Sequence, residues 1–465
     1  MPVKEKIGAR LNPWVVAWCI GAVAFALVVA WQNRGLTFFW DEWDVVWASV
    51  ESPYYGVLQD NGGNFFPLSR IVFILELVVF GTWYPGYMLV TSLFFGATAV
   101  AFNLLLDDGT RFRRITLSAF ALIYLSSTGV LFASSMGFML KWGLSPLLAI
   151  ISAHFFICAN DAKRSRTRSL LFAWLFFLMS WASFSSAIVL VSLLIIGLIH
   201  FIPPTSNSSL SLSTRFRLST LIFVVSLVLV VVGIRLAELN PPINPLTGSA
   251  QESVDGALSQ DLFNVILIAV AVTFAALISV LTGLPLHDNE LNSWLIIAMR
   301  DYLALAVVML IVAIALIYAI KRALPPRQLV TLFILLLISN LFISLTRTPL
   351  IHRYQTLWVL LAVLVLLALL AWMSQIQFVW IKNLLLSLIV IAACLSIWHI
   401  GTAALTIGNT ERQRDFADST VLNNPDSCLS EANQAIDQIA PTITGERLCS
   451  LLQVLEERNW ILDRR

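Results

Sequence analysis

The stretch LNPWVVAWCIGAVAFALVVAWQNRGLTFFWDEWDVVWASV, residues 11–50, decides how the rest of the chain is read. Positions 14–32 hold no charged residue and match the roughly 20 apolar residues that cross a hydrocarbon core. The apolar run is longer than a signal-peptide core, and no small-residue cleavage site follows it, so an uncleaved first membrane helix is expected. Past its far end, Asp41, Glu42 and Asp44 lie among Phe38, Phe39, Trp40, Trp43 and Trp47. Apolar residues at 39, 40, 43, 46 and 47 have helical spacing. A juxtamembrane amphipathic helix is therefore expected, holding its carboxylates at the membrane surface.

Similar apolar runs recur along the whole chain. Of its 465 residues, 58% are hydrophobic and only 12% charged, where soluble domains average about 25% charged. The pattern predicts spans at 14–32, 84–106, 115–134, 143–159, 169–184, 186–202, 218–237, 296–320, 328–346, 355–373 and 383–403. Two other apolar stretches compete. Segment 66–81 is short and carries Arg70 and Glu76, whereas 262–284 is long enough to cross.

Charge chooses between the counts, because short cytoplasmic loops are rich in Lys and Arg. The basic groups are Lys4/Lys6/Arg10, Arg111/Arg113/Arg114, Lys163/Arg164/Arg166/Arg168, Arg215/Arg217, Lys321/Arg322/Arg327 and Lys382. All fall on one side only if 66–81 and 262–284 do not cross. These groups hold 16 of the 29 basic residues and only four acids: Glu5, Asp107, Asp108 and Asp161. The expected fold is thus an all-α polytopic membrane protein of about 11 transmembrane helices (range 10–13). The expected location is a bacterial inner (plasma) membrane, with a cytoplasmic N-terminus and an extracytoplasmic C-terminus.

Residues 1–403 then form the transmembrane domain, with juxtamembrane helices in the first outer loop, 33–83. Residues 404–465 form a small extracytoplasmic C-terminal segment ending in an amphipathic stretch. Cys19, Cys158 and Cys394 read as small buried hydrophobes. Cys428 and Cys449 lie in the polar tail with no metal-ligand spacing; in an oxidising compartment they form the expected disulfide. Nothing indicates nucleic-acid binding.

The first outer loop carries the strongest chemical signal. Acids beside apolar rings can have raised pKa values and act as general bases, although an aromatic belt with solvated acids would look similar. The next segment, DNGGNFFPLSRIVFILELVVFG (60–81), is a Gly/Asn turn followed by Pro67 and a short apolar helix opening with Ser69 and Arg70.

The order of these features resembles the GT-C glycosyltransferases: an Asp-Glu pair after the first membrane helix, a long outer loop, then a Pro-Leu-containing short helix ending in Phe-Gly. Later, RTPLIHRYQTLWVLLAVLVLL (347–367) is similar to the Arg-Tyr segment that opens a late helix in many bacterial members. The resemblance implies a multi-spanning transferase that takes sugars from a polyprenyl-phosphate donor. It implies Asp41 as the base, with Glu42 beside it in the catalytic pair. Where many members have a histidine near the Pro-Leu motif, this chain has Asn61 and Asn64. The remaining expected partners are membrane lipids and a glycan or lipid acceptor.

Substrate contacts are expected from Asp44, Asn64, Arg70, Lys141, Arg300, Arg347, His352, Arg353 and Tyr354. Arg347, His352, Arg353 and Tyr354 share one outer loop and suit a phosphate, or they anchor a helix end by snorkelling. Arg300 stands with Asp301 just inside a span. Charges there line a cavity or fix packing as an ion pair, and the same two readings apply to Arg70 and Glu76. Lys141 is expected alone in a loop, 135–142. His287 and Asp288 lack a third metal ligand. No cofactor is required, though Asp41, Glu42 and Asp44 offer oxygen ligands that suit Mg²⁺ or Mn²⁺.

Three other classes remain open. A lipid or glycan transporter or flippase would place polar residues near the midplane and often show repeats. An envelope glycan polymerase or ligase would rely on outer arginines and a histidine. A non-catalytic scaffold would need none of these groups to converge.

Overall fold

The architecture comes from a computed structural model. It describes residues 12–34, 38, 41–51, 57–58, 65–159, 165–202, 212–240, 325–346, 355–375 and 379–403, with isolated positions between 265 and 280 and at 454. Among the described residues every regular element is helical.

Helix α1 (Pro13–Gln32) starts where Asn12 accepts a hydrogen bond from the Trp14 N–H at 3.1 Å. Pro13 at its first position lacks a donor that would have been orphaned anyway. Helix α2 (Asp41–Glu51) opens on its acids, which suit the positive end of a helix dipole. Helix α3 (Pro67–Phe80) has 14 residues. That length is about 21 Å at 1.5 Å per residue, short of the roughly 30 Å of a bilayer core. Gly81 ends it with φ 53°, a conformation that costs a side-chain-bearing residue more than glycine.

Helix α4 (Tyr84–Leu106) packs along α1. A Cβ on Gly96 would stand 2.7 Å from the Ala22 Cβ and 3.1 Å from its Cα, so the two backbones meet where side chains are smallest. The expected span 115–134 is broken into α5 (Arg111–Ser126) and α6 (Thr128–Ser134). Ser127 breaks it. Its backbone is extended, its hydroxyl donates to the Tyr124 carbonyl at 2.7 Å, and the same oxygen caps the Val130 N–H. A 3₁₀ turn (Gly137–Leu140) leads into α7 (Lys141–Cys158). Lys141 is therefore the first residue of a helix, not a loop residue as expected, because the 3₁₀ turn runs directly into it.

Helix α8 (Arg166–Ser183) and helix α9 (Ile188–Phe201) are bent by 120° at the Ser-rich turn, 183–186, that separates the expected spans 169–184 and 186–202. Helices α7 and α8 are joined by short polar contacts: Ser145 and Ser180 hydroxyls at 2.9 Å, and the Ser152 hydroxyl to the Ala173 carbonyl at 2.8 Å. Helix α10 (Leu212–Leu239) follows, then α11 (Arg327–Thr346), α12 (Gln355–Gln375) and α13 (Val379–Ala403). Helix α9 is apolar on all sides and is covered by α7, α10, α11 and α12, as such a helix must be.

The outer helices do the reverse. Ile20 (63%), Leu27 (55%) and Val231 (59%) are exposed on α1 and α10, a surface that suits lipid and not water. Among the described residues, four helical segments are long and apolar enough to cross a membrane: Pro13–Gln32, Tyr84–Leu106, Gly137–Cys158 and Ser213–Leu239. The bent pair α8–α9 makes a fifth if taken as one span, and α11–α13 contain shorter apolar helices. The architecture is that of a helical membrane protein. The expected span 296–320 and segment 404–465 lie outside the described residues, Val454 excepted, as does most of 262–284.

Candidate functional site

One end of the bundle gathers α2, α3, the start of α4, the 3₁₀ turn, the start of α7 and the α8–α9 turn. Backbone hydrogen bonds tie these pieces together. The Phe65 N–H donates to Ser185 Oγ at 3.0 Å, and the Ser185 N–H donates back to the Phe65 carbonyl at 3.1 Å. The Ser69 hydroxyl donates to the Ser183 carbonyl at 2.8 Å. The Ser-rich break is thus also the dock for α3.

Glu42 faces inward and is 1% exposed. Its Oε2 accepts from the Tyr84 hydroxyl at 2.6 Å, and its Oε1 accepts from the Phe138 N–H at 3.0 Å. The Gly137 N–H donates to the same tyrosine oxygen at 3.4 Å. These bonds clamp α2 onto α4 and the 3₁₀ turn. Gly137 lets the turn close: a Cβ there would stand 2.7 Å from the Tyr87 Cβ. Around the clamp, Phe38 meets Tyr84 and Tyr87 edge-on at 5.2 and 5.0 Å between ring centroids.

Two cations lie at the same end. Lys141 is buried, with its Nζ 3.8 Å from the Phe138 ring centroid, 4.2 Å from Phe66 and 5.3 Å from Phe184. Arg70 is buried too, its guanidinium 4.9 Å from the Phe66 ring. Both cations therefore bear on the one Phe66 ring. Such contacts contribute about 2 kcal/mol when desolvated. A lysine opening a helix stands at the positive end of the dipole, so the aromatic cage offsets a placement that is otherwise unfavourable.

Glu76 on α3 completes the cluster. Both its carboxylate oxygens are buried without a hydrogen-bond partner. Burial first, and the Glu42 charge second, push its carboxyl well above the ordinary carboxylate range. Burial thus disfavours the charged form, because an unpaired carboxylate is far costlier to bury than the neutral acid.

Glu42, Arg70 and Lys141 are the expected site residues that come together here. Asp41 and Asp44 lie on the first turn of α2, with side chains outside the described residues. Asn64, Arg300, Arg347, His352, Arg353, Tyr354, Cys428 and Cys449 also lie outside them. Among the described residues, no group of three or more His, Cys, Asp or Glu side chains is placed to hold a metal. Sequence reasoning missed Tyr84, Phe66, Phe138 and Phe184. Each looks locally like belt or core, and only the fold shows what it touches. Glu76 was visible as a charge in an apolar helix, which is the one local signal available.

Chemically, the cluster offers a fixed acidic helix, a buried carboxyl and two cations beside aromatic rings. Comparison with protein families, with curated proteins and with solved structures finds no match for the chain.

Proposed function

We propose that the chain is a glycosyltransferase of the GT-C kind, moving a sugar from a polyprenyl-phosphate donor to a lipid-linked or cell-envelope glycan acceptor. The reaction takes place on the outer face of a bacterial inner membrane crossed about 11 times. The supporting observation is the Glu42 clamp, which fixes the first turn of α2, and with it Asp41, at the bundle end where Lys141 and Arg70 are buried.

Asp41 takes the proton from an acceptor hydroxyl. That oxygen bonds to the anomeric carbon as the bond from carbon to the phosphate oxygen breaks, and the polyprenyl phosphate leaves with the electron pair. Buried cations preorganised toward that anion favour the charge as it develops. Glu42 is a positioning residue in this scheme, because both its oxygens are engaged within the fold. Arg347 and Arg353 supply further phosphate contacts.

The test is transfer of labelled sugar from a polyprenyl-phosphate donor by the purified chain in lipid vesicles. Asp41→Asn lowers transfer by about 10²–10⁴-fold, the range for loss of a general base. Lys141→Met lowers it by about 10²-fold, as for one lost electrostatic contact. Asp41→Asn retains wild-type thermal unfolding, whereas Lys141→Met also lowers it, because the cation's contacts with Phe66, Phe138 and Phe184 are lost. Near-normal transfer by Asp41→Asn sinks the assignment.

A further inference from the structure

At the opposite end of the bundle, α9, α10 and α11 enclose a cavity of about 730 Å³ that is partly open to the surroundings. This falls within the roughly 300–1,000 Å³ of small-molecule sites. Its deep wall is apolar, with Leu193 from α9, Phe223 from α10 and Ile338 from α11. Its mouth is polar, with His200, Ser213 and Arg327, and His200 Nε2 lies 3.0 Å from the Ser219 hydroxyl. Among the described residues, no Asp or Glu lines it.

Among the described residues, the charge at the mouth has one sign. Arg327 is exposed on the first turn of α11 and makes no ion pair among the described residues. Arg215 sits behind the mouth, donating to the Ile199 and His200 carbonyls at 3.0 and 3.3 Å. It thereby satisfies the end of α9 and adds positive potential beneath the opening. An apolar slot with a cationic rim, between helices and on the side of the basic loops, matches a lipid tail and an anionic headgroup.

We propose that this cavity binds an anionic phospholipid from the leaflet on the basic side. An acyl chain lies along Leu193, Phe223 and Ile338, and the phosphate meets Arg327 and the His200–Ser219 pair. A zwitterionic lipid also brings a phosphate to Arg327, but it adds a choline cation at a mouth that is already positive among the described residues. A free phosphate ion leaves the apolar wall uncovered.

The experiment compares lipids retained by the full chain after extraction from bilayers of mixed phosphatidylglycerol and phosphatidylcholine, read by native mass spectrometry. The wild type retains phosphatidylglycerol preferentially. Arg327→Gln reduces that preference roughly fivefold, the effect of one cation at a membrane surface. Thr331→Trp, which fills the slot from α11, reduces retention of both lipids. Phosphatidylglycerol with a photoreactive acyl chain labels 193–200 and 331–338 of the unmodified protein, so the test stands if a variant fails to fold. Equal retention of the two lipids by the wild type, evenly spread labelling, or displacement of the lipid by excess inorganic phosphate overturns the proposal.

Discussion

Glu42 and Tyr84 are 42 positions apart, yet a 2.6 Å hydrogen bond makes them one unit. A bond to a buried charge contributes about 1.5–3 kcal/mol, and stranding one partner costs a similar amount. Glu42→Gln and Tyr84→Phe should each lower thermal stability in detergent by that order. The double variant should lose clearly less than the sum; additive losses would mean that the pair is not coupled. Glu76 makes a pH prediction. Its carboxyl is raised in the fold, so the native state binds the proton more tightly than the unfolded state does. Its contribution is fully present below the ordinary carboxylate value of 4.5 and is lost as pH rises from there toward the raised value. Glu76→Gln, neutral at every pH, should remove that decline. Unfolding midpoints measured across pH for both proteins decide it, and identical slopes would contradict a buried neutral acid.

At the scale of elements, α1 and α4 depend on a contact with no room for a larger side chain. A Cβ on Gly96 would stand 3.1 Å from the Ala22 Cα, and backbone cannot rotate away as a side-chain tip can. Gly96→Leu should therefore separate the pair and destabilise the protein by about 1–3 kcal/mol, the usual range for overpacking, read as a lowered unfolding midpoint. The substitution Gly21→Leu on α1, where nothing lies within 4 Å, is the control and should leave the midpoint near that of wild type. The elements themselves were largely legible, because an apolar run of span length has few alternatives in lipid. The break at Ser127 was not. It depends on one hydroxyl serving the end of α5 and the start of α6, and Ser126-Ser127 inside an apolar run does not announce that exchange. Lys141 was visible as a lone charge. Its place at a helix start was hidden, because the 3₁₀ turn before it carries no local breaker except Gly137.

At the scale of the whole molecule, the bundle separates its chemistry by end. The clamp, the buried acid and the caged cations lie at one end; Arg113, Arg215, Arg327 and the lipid-sized cavity lie at the other. Charge placement along the chain made this polarity readable, since the basic clusters recur at alternate ends of successive apolar runs. The residues that meet at each end were not readable, because contacts such as Phe65 with Ser185 join segments 120 positions apart and leave no periodic trace. The same polarity makes the membrane orientation testable with two positions. Trp83 is 48% exposed just before α4 at the clamp end, and Asp108 is exposed in the turn before α5 at the basic end. In a background with the five native cysteines replaced, Trp83→Cys should react with a membrane-impermeant maleimide on intact cells. Asp108→Cys should react only after the membrane is permeabilised, the outcome expected of a cytoplasmic basic loop. The reverse pattern would place the clamp in the cytoplasm, away from an outward-facing lipid-linked sugar, and the glycosyltransferase proposal would fall with it.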